Sequence, residues 1–143
     1  MIKEVRHTGI VVNDLQKAVL FWTDLMGFKI EKQAKEYGEH LDKVLGLNDI
    51  EVTTVKLSKG NNSLIELLKF HSHPDKVQWG GEPFTTGITH IALTVSDIDN
   101  TFHYLKKNKV YFFSSPQYSP DGYAKFVFGR GPENLLIEFV EVL

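Results

Sequence analysis

Two segments of this chain occur twice, and this repeat limits the folds that the chain can adopt. Residues 7–15 (HTGIVVNDL) match residues 90–98 (HIALTVSDI) in character at a constant shift of 83. Residues 62–66 (NSLIE) match residues 134–138 (NLLIE) at a shift of 72. The difference of 11 residues (83 − 72) indicates an insertion in the first copy, between its histidine and its glutamate. We therefore predict one structural module that is present twice.

A glutamate ends the second repeated segment in each copy. Glu66 lies in the apolar run 64–68 and Glu138 in the apolar run 135–140, and both runs are typical of strands with two buried faces. Burying an ionised carboxylate is costly unless a cation compensates its charge. Each glutamate therefore requires a partner, and each module also carries a histidine at an equivalent place, His7 or His90.

Charge and cysteine content exclude several classes of function. The 143-residue chain has a net charge of −2 and no lysine or arginine block, so the basic surface of a nucleic-acid-binding protein is missing. It has no cysteine, so any metal must bind to nitrogen and oxygen ligands. No apolar signal-peptide core and no stretch of about 20 apolar residues occurs, so we expect no membrane segment and a cytoplasmic protein.

Hydrophobic periodicity predicts the order β-α-β-β-β in each module, and hence an α+β fold. We expect one domain, 1–143, formed by module one (1–72), a linker (73–86) and module two (87–143). For module one we predict strand 5–12, a helix capped by Asp14 and ended by Gly27, strand 28–34, a partly helical insertion 35–49, and hairpin strands 50–58 and 63–70. For module two we predict strand 87–96, a helix capped by Asp97, strand 110–114, and hairpin strands 123–128 and 135–142.

Four side chains form the candidate site: His7, Glu66, His90 and Glu138. If a pseudo-twofold axis relates the modules, equivalent residues converge on that axis, and two imidazoles meet two carboxylates. Such a set suits a divalent first-row metal ion with open positions for water or substrate, and a closed structural zinc site fits it less well. The alternative is that the glutamates form buried ion pairs with lysines or with the two histidines. No lysine or arginine occupies a matching repeat position in both halves.

Other polar and apolar residues have simpler expected roles. We predict that the remaining histidines are solvated surface residues: His40, His71, His73 and His103. The inserted segment could close over the site as a lid, with Tyr37, Glu39 and His40 as its candidate residues. Candidate pocket-lining residues are apolar or weakly polar, which favours an apolar part in the substrate: Val11, Thr54, Phe70, Thr94 and Phe126.

Paired β-α-β-β-β modules, with a histidine on each first strand and Leu-Ile-Glu on each last strand, resemble the vicinal oxygen chelate superfamily. This superfamily holds glyoxalase I, methylmalonyl-CoA epimerase, extradiol dioxygenases, fosfomycin-resistance enzymes and bleomycin-resistance proteins. The resemblance covers essentially the whole chain. It implies a curved, U-shaped mixed sheet around one divalent metal ion (Ni, Co, Zn, Mn or Fe), a small-molecule substrate and usually a homodimer. Its metal positions correspond to His7, Glu66, His90 and Glu138, and it implies catalytic roles for Glu138 and Glu66.

The occupied ligand positions resemble those of bacterial glyoxalase I. The resemblance implies a metal-dependent lyase, isomerase or epimerase that transfers a proton next to a carbonyl, with an enediolate or enolate stabilised by the metal and Glu138 as the base. Glyoxalase I holds glutathione through an arginine and an asparagine at the positions of Val11 and Phe70, so the sequence argues against glutathione. The alternatives are a non-haem iron dioxygenase and a metal-free protein that sequesters a small molecule.

Overall fold

The computed structural model describes residues 2–60, 63–75 and 79–143. The chain forms two units, residues 1–77 and 78–143, and each unit contains one mixed sheet with a helix packed on it. The predicted α+β class is therefore confirmed. The grouping of both modules into one domain, with the boundaries given above, stays a prediction.

The first unit follows the predicted order, and its insertion contains a helix. Strand β1 is parallel to β4, the other pairs are antiparallel, and the sheet order is β1-β4-β3-β2. Its elements are β1 (Thr8–Val11), α1 (Leu15–Leu20), β2 (Lys29–Tyr37), α2 (Glu39–Leu45), β3 (Glu51–Lys59) and β4 (Ser63–Phe70).

Helix α1 begins and ends at the predicted residues. The Asp14 carboxylate accepts a hydrogen bond from the Lys17 backbone N–H at 3.0 Å, which satisfies one of the free donors of the first turn. The helix continues as a π-helical turn, Phe21–Leu25, and stops at Gly27, whose φ of +69° suits glycine. The helix packs against β4, and its Trp22 is only 1% exposed. An edge-to-face contact joins the rings of Trp22 and Phe28, 5.0 Å apart.

The second unit has the sheet order β5-β9-β8-β6, again with its first and last strands parallel. A further short strand, β7, pairs with β8. The elements of this unit are β5 (His90–Thr94), α3 (Ile98–Lys107), β6 (Tyr111–Phe112), β7 (Gln117–Tyr118), β8 (Ala124–Arg130) and β9 (Leu136–Val142).

Helix α3 repeats the capping found in α1. Asp97 accepts from the Asn100 N–H at 2.9 Å, and Glu141 of β9 accepts from the Ile98 N–H at 2.9 Å. The helix packs against β9, and its side chain Phe102 lies 4.9 Å from the Phe112 ring. These contacts fix the helix on one face of the sheet.

Several predicted boundaries differ from the observed ones because strand length depends on the partner strand. Strand β1 begins at Thr8, and the predicted first residue, Val5, is 87% exposed. Strand β2 continues to Tyr37 because it pairs with β3 as far as Glu51. The predicted strand 110–114 is shortened to β6, and the unpredicted β7 continues the pairing with β8 after Pro116, which has no N–H to donate.

Three further predictions concern the connections and the membrane. The inserted segment is partly helical, as predicted, and α2 ends at Gly46 in the left-handed conformation. Asn61 and Asn62 of the predicted hairpin turn lie outside the described residues. No helix in the described ranges is long and apolar enough to cross a membrane.

The paired aspartate caps generate a stability prediction. We expect Asp97→Ala to lower the free energy of unfolding by about 1 kcal/mol, because the first turn of α3 loses its side-chain acceptor. Asp97→Asn should keep most of the stability, since asparagine also caps helices well. Urea denaturation monitored by circular dichroism measures both variants. Equal stability of the alanine variant and the unchanged chain would contradict a capping role.

An ion pair between β2 and β3 predicts a pH effect. Lys35 lies 2.7 Å from Glu51, and its hydrogen bond and charge lower the pKa of Glu51 below the ordinary value of 4.5. Because this pKa is lower in the folded chain than in the unfolded one, the pair stabilises the fold at neutral pH. That stabilisation is lost as the pH falls through the lowered pKa.

We expect Lys35→Met to raise the pKa of Glu51 toward its ordinary value, as followed by NMR titration of the carboxyl group. Lys43→Met is the matched control, because Lys43 pairs with the exposed Glu39 on α2 and not with Glu51. A pKa of Glu51 that stays low in the Lys35 variant would show that another group is responsible.

Candidate metal centre

The parallel pairing of β1 with β4 brings His7 to Glu66. Gly9 is the register partner of Glu66, and His7 lies two residues before Gly9, on the same side of the sheet. The Nε2 atom of His7 is 3.0 Å from Oε2 of Glu66. The Glu66 side chain is 12% exposed and the His7 side chain 32% exposed. The carboxylate is thus mostly buried, while the imidazole remains accessible.

The second unit builds the same pair from β5 and β9. Ala92 is the register partner of Glu138, and His90 lies two residues before Ala92. The Nε2 atom of His90 is 3.4 Å from Oε2 of Glu138, and these side chains are 39% and 21% exposed. The residue directly beside each glutamate is small, Gly9 or Ala92.

Both units reach this register with different chain lengths. Gly9 and Glu66 are 57 residues apart (66 − 9), whereas Ala92 and Glu138 are 46 apart (138 − 92). Nearly all of the difference of 11 lies between the start of β2 and β3, the first strand of the last hairpin, where the first unit contains α2. The duplicated module predicted from the sequence therefore has the same His–Glu geometry within each unit.

The His–Glu distances fit two ligands of one metal ion. With metal–ligand distances of about 2.1 Å, neighbouring ligands lie about 3.0 Å apart at a right angle and about 3.4 Å apart at the tetrahedral angle. The observed separations of 3.0 Å and 3.4 Å match one edge of such a coordination shell. Nitrogen and carboxylate donors also suit divalent first-row metals. Each pair therefore fits a metal ion as well as it fits a hydrogen-bonded ion pair.

Each unit by itself supplies a pair of such ligands. Among the described residues, no group of three or more His, Asp or Glu side chains could hold a metal ion. The convergence of His7, Glu66, His90 and Glu138 on one ion stays a prediction of the sequence.

A third residue, Lys56, contacts Glu66. Lys56 on β3 is the register partner of Glu66, and its Nζ lies 3.5 Å from Oε1 of that carboxylate. Both oxygens of Glu66 therefore have a partner, His7 on one side and Lys56 on the other. In this structure Glu66 therefore has the contacts of the alternative interpretation, in which the carboxylate pairs with a lysine and a histidine.

Lys56 was not predicted, because the comparison of the two repeats required a cation in both. The position equivalent to Lys56 is Phe128, which is the register partner of Glu138. The spacing alone could have identified it: Lys56 precedes Glu66 by ten residues (66 − 56), across a predicted hairpin.

An aromatic side chain contacts the pair in the second unit. The ring of Phe128 lies 5.1 Å from the His90 ring in an edge-to-face contact. Phe128 also lines a cavity of about 380 Å³ in this unit, whose other lining residues are Pro83, Phe113, Ser114, Gln117, Phe126 and Val127. Phe126, a predicted pocket residue, is among them. An apolar cavity therefore lies beside Phe128, the residue that contacts His90.

The remaining predicted residues take ordinary positions. The four other histidines are exposed, as predicted: His40, His71, His73 and His103. Thr54, a predicted pocket residue, is 6% exposed and donates to Glu36 at 3.0 Å. Tyr37, Glu39 and His40 are exposed, and their role in a lid stays a prediction.

Comparison with known proteins agrees with this architecture. Residues 4–139 match the model of the Glyoxalase/Bleomycin resistance protein/Dioxygenase superfamily. The uncharacterized protein YaeR of Escherichia coli (strain K12) is 26% identical over 98% of this chain and 97% of its own length. The uncharacterized protein YwbC of Bacillus subtilis (strain 168) is 26% identical over 99% of both chains.

Solved structures show the same fold. A glyoxalase family protein from Bacillus cereus has a TM-score of 0.89 at 26% identity, over 100% of this chain and 96% of that chain. The trypanothione-dependent glyoxalase I of Leishmania major has a TM-score of 0.67 at 21% identity, over 98% and 87%. With its two His–Glu pairs on matching parallel strands, this chain belongs to the Glyoxalase/Bleomycin resistance protein/Dioxygenase superfamily.

Proposed function

We propose that this protein is a divalent-metal-dependent lyase, isomerase or epimerase that transfers a proton next to a carbonyl group. The observation that carries the proposal is the His–Glu pair built twice with one register, at distances suited to neighbouring metal ligands. A single pair of this kind would be an ordinary polar contact. Its presence in both copies of the module supports a shared role for all four side chains.

The proposed ligands are His7, Glu66, His90 and Glu138, and the metal is Ni, Co, Zn, Mn or Fe. When bound, such an ion supplies Lewis acidity, which polarises a substrate carbonyl and stabilises the negative charge that develops on it. The chain itself must then hold the substrate and accept the proton.

Glu138 is the proposed base, and its surroundings support this role. Only one of its oxygens, Oε2, has an ion-pair or hydrogen-bond partner among the described residues, and that partner is His90. Both oxygens of Glu66 are engaged, by His7 and by Lys56. Glu138 therefore has an oxygen available to take a proton from a substrate carbon, whereas Glu66 is held in place as its counterpart.

The cavity beside Phe128 supports the apolar part of the proposed substrate. Three phenylalanines line it, Phe113, Phe126 and Phe128, and the last of them touches His90. The same cavity favours a second candidate function, a protein that binds an apolar small molecule without catalysis.

The homodimer and the cytoplasmic location stay predictions.

Metal analysis tests the proposal first. We expect about one divalent ion per chain, by elemental mass spectrometry of untagged protein purified without chelator. His7→Ala and His90→Ala should each weaken metal binding by more than about tenfold, because even a residue that only orients a metal ligand contributes that much. His103→Ala, an exposed histidine on α3, is the matched control and should bind metal normally.

Iron as the native metal, with oxygen uptake, would favour the dioxygenase. No metal even after reconstitution would overturn the proposed function and favour the binding protein.

Turnover tests the role of Glu138. Substrates to screen are α-hydroxycarbonyl compounds, thioesters and adducts of methylglyoxal. We expect Glu138→Gln to lower kcat by about 10²- to 10⁴-fold in a folded protein that still holds its metal ion, because the amide cannot accept the proton. Solvent deuterium exchange at the substrate carbon should be lost in parallel. Full activity of this variant would exclude Glu138 as the base.

A further inference from the structure

The ion pair with Glu66 does not by itself explain why a lysine occupies position 56. Glu66 and Lys56 lie opposite each other on the adjacent strands β4 and β3, and His7 directly precedes β1 on the other side of β4. The Lys56 side chain is 35% exposed, so a bound molecule can reach its ammonium group. The second unit has Phe128 at the equivalent position, so the module folds without a cation there.

Three other lysines near this hairpin are anchored by direct hydrogen bonds. Lys35 pairs with Glu51 at 2.7 Å, Lys69 donates to the Asn13 carbonyl at 2.6 Å, and Lys59 donates to the Met26 carbonyl. The Lys56 ammonium lies 3.5 Å from Glu66 and makes no hydrogen bond to any residue that the structure describes. Its donors are therefore available to a ligand.

The charges around Lys56 are of both signs, and one of them pairs with its ammonium group. Lys32 on β2 is the register partner of Lys56, so two positively charged side chains extend from directly opposite positions on neighbouring strands. Two carboxylates reach the residues on either side of this position: Glu36 accepts from Thr54 and Glu31 from Ser58, and neither forms an ion pair with Lys56. Glu66 is thus the one carboxylate paired with Lys56 in the described chain.

A metal ion bound to Glu66 would compete with Lys56 for the same carboxylate. The ammonium group of Lys56 would then share the negative charge of Glu66 with the metal ion. A substrate that carries a carboxylate beside its two metal-binding oxygens would restore the charge balance, and a hydrogen bond between charged groups is stronger than one between neutral groups.

We propose that Lys56 determines specificity by binding a carboxylate of the substrate, next to the oxygens that chelate the metal. The proposed substrate class is therefore an anionic carbonyl compound. This inference rests on the proposed function, because it requires a metal ion at Glu66.

The test compares two chelators that differ by one carboxylate. Acetohydroxamate offers two neighbouring oxygens to a metal, and malonic monohydroxamate offers the same oxygens with a carboxylate on the methyl carbon. Isothermal titration of the metal-loaded protein gives the ratio of their Kd values. We expect Lys56→Met to reduce the preference for the malonic compound about tenfold, while acetohydroxamate binds as before.

Two further variants separate specificity from folding. Lys56→Arg should retain most of the preference, because it keeps the positive charge. Lys35→Met removes another ion-paired lysine of this sheet and should leave the preference unchanged. Lys56→Met should also bind the metal itself several-fold more tightly, since the competing cation for Glu66 is gone.

The outcomes distinguish this inference from the proposed function. Metal binding with an unchanged preference in Lys56→Met would overturn the role of Lys56 and leave the metal centre intact. If Lys56→Met weakens the binding of both chelators equally, Lys56 only supports the structure of the site, and this result also overturns the inference. Failure of the unchanged protein to bind any metal would overturn the proposed function itself.

Discussion

The parallel pairing of the first strand with the last strand of each unit is the constraint on which the candidate site depends. It places a histidine from the start of the module beside a glutamate from its end, as His7 and Glu66 show. Parallel strands cannot be joined by a tight turn, so the helix and the hairpin must form the connection between them. The site therefore forms only when the whole module has folded.

Much of this arrangement could be predicted from the sequence because the chain contains two copies of one module, and the two copies can be compared with each other. The two shifts between the repeats are enough to identify both histidines and both glutamates. Asp14 and Asp97 mark the helix starts because a cap is a local property of the backbone, and both accept the expected hydrogen bonds.

The features that escaped prediction depend on contacts between strands or belong to one copy alone. The second repeat has Phe128 in place of Lys56, so the pattern shared by both copies does not include this lysine, although hairpin register places it beside Glu66. The short strand β7 exists because β8 offers it a partner at Phe126, and a two-residue strand has no periodicity of its own. The His–Glu distances follow from strand register, which the repeat did not specify.

The extra residues of the first unit have a consequence for how such proteins change over time. The segment from Gly38 to Ile50 contains α2, and it joins the sheet at Glu51, five residues from Lys56. Five residues of extended strand span about 16 Å, so an insertion or deletion at α2 leaves the strand register at Glu66 undisturbed. Evolution can thus lengthen, shorten or exchange this segment while the His–Glu pair is inherited intact. A protein engineer can use the same segment to graft a new binding loop.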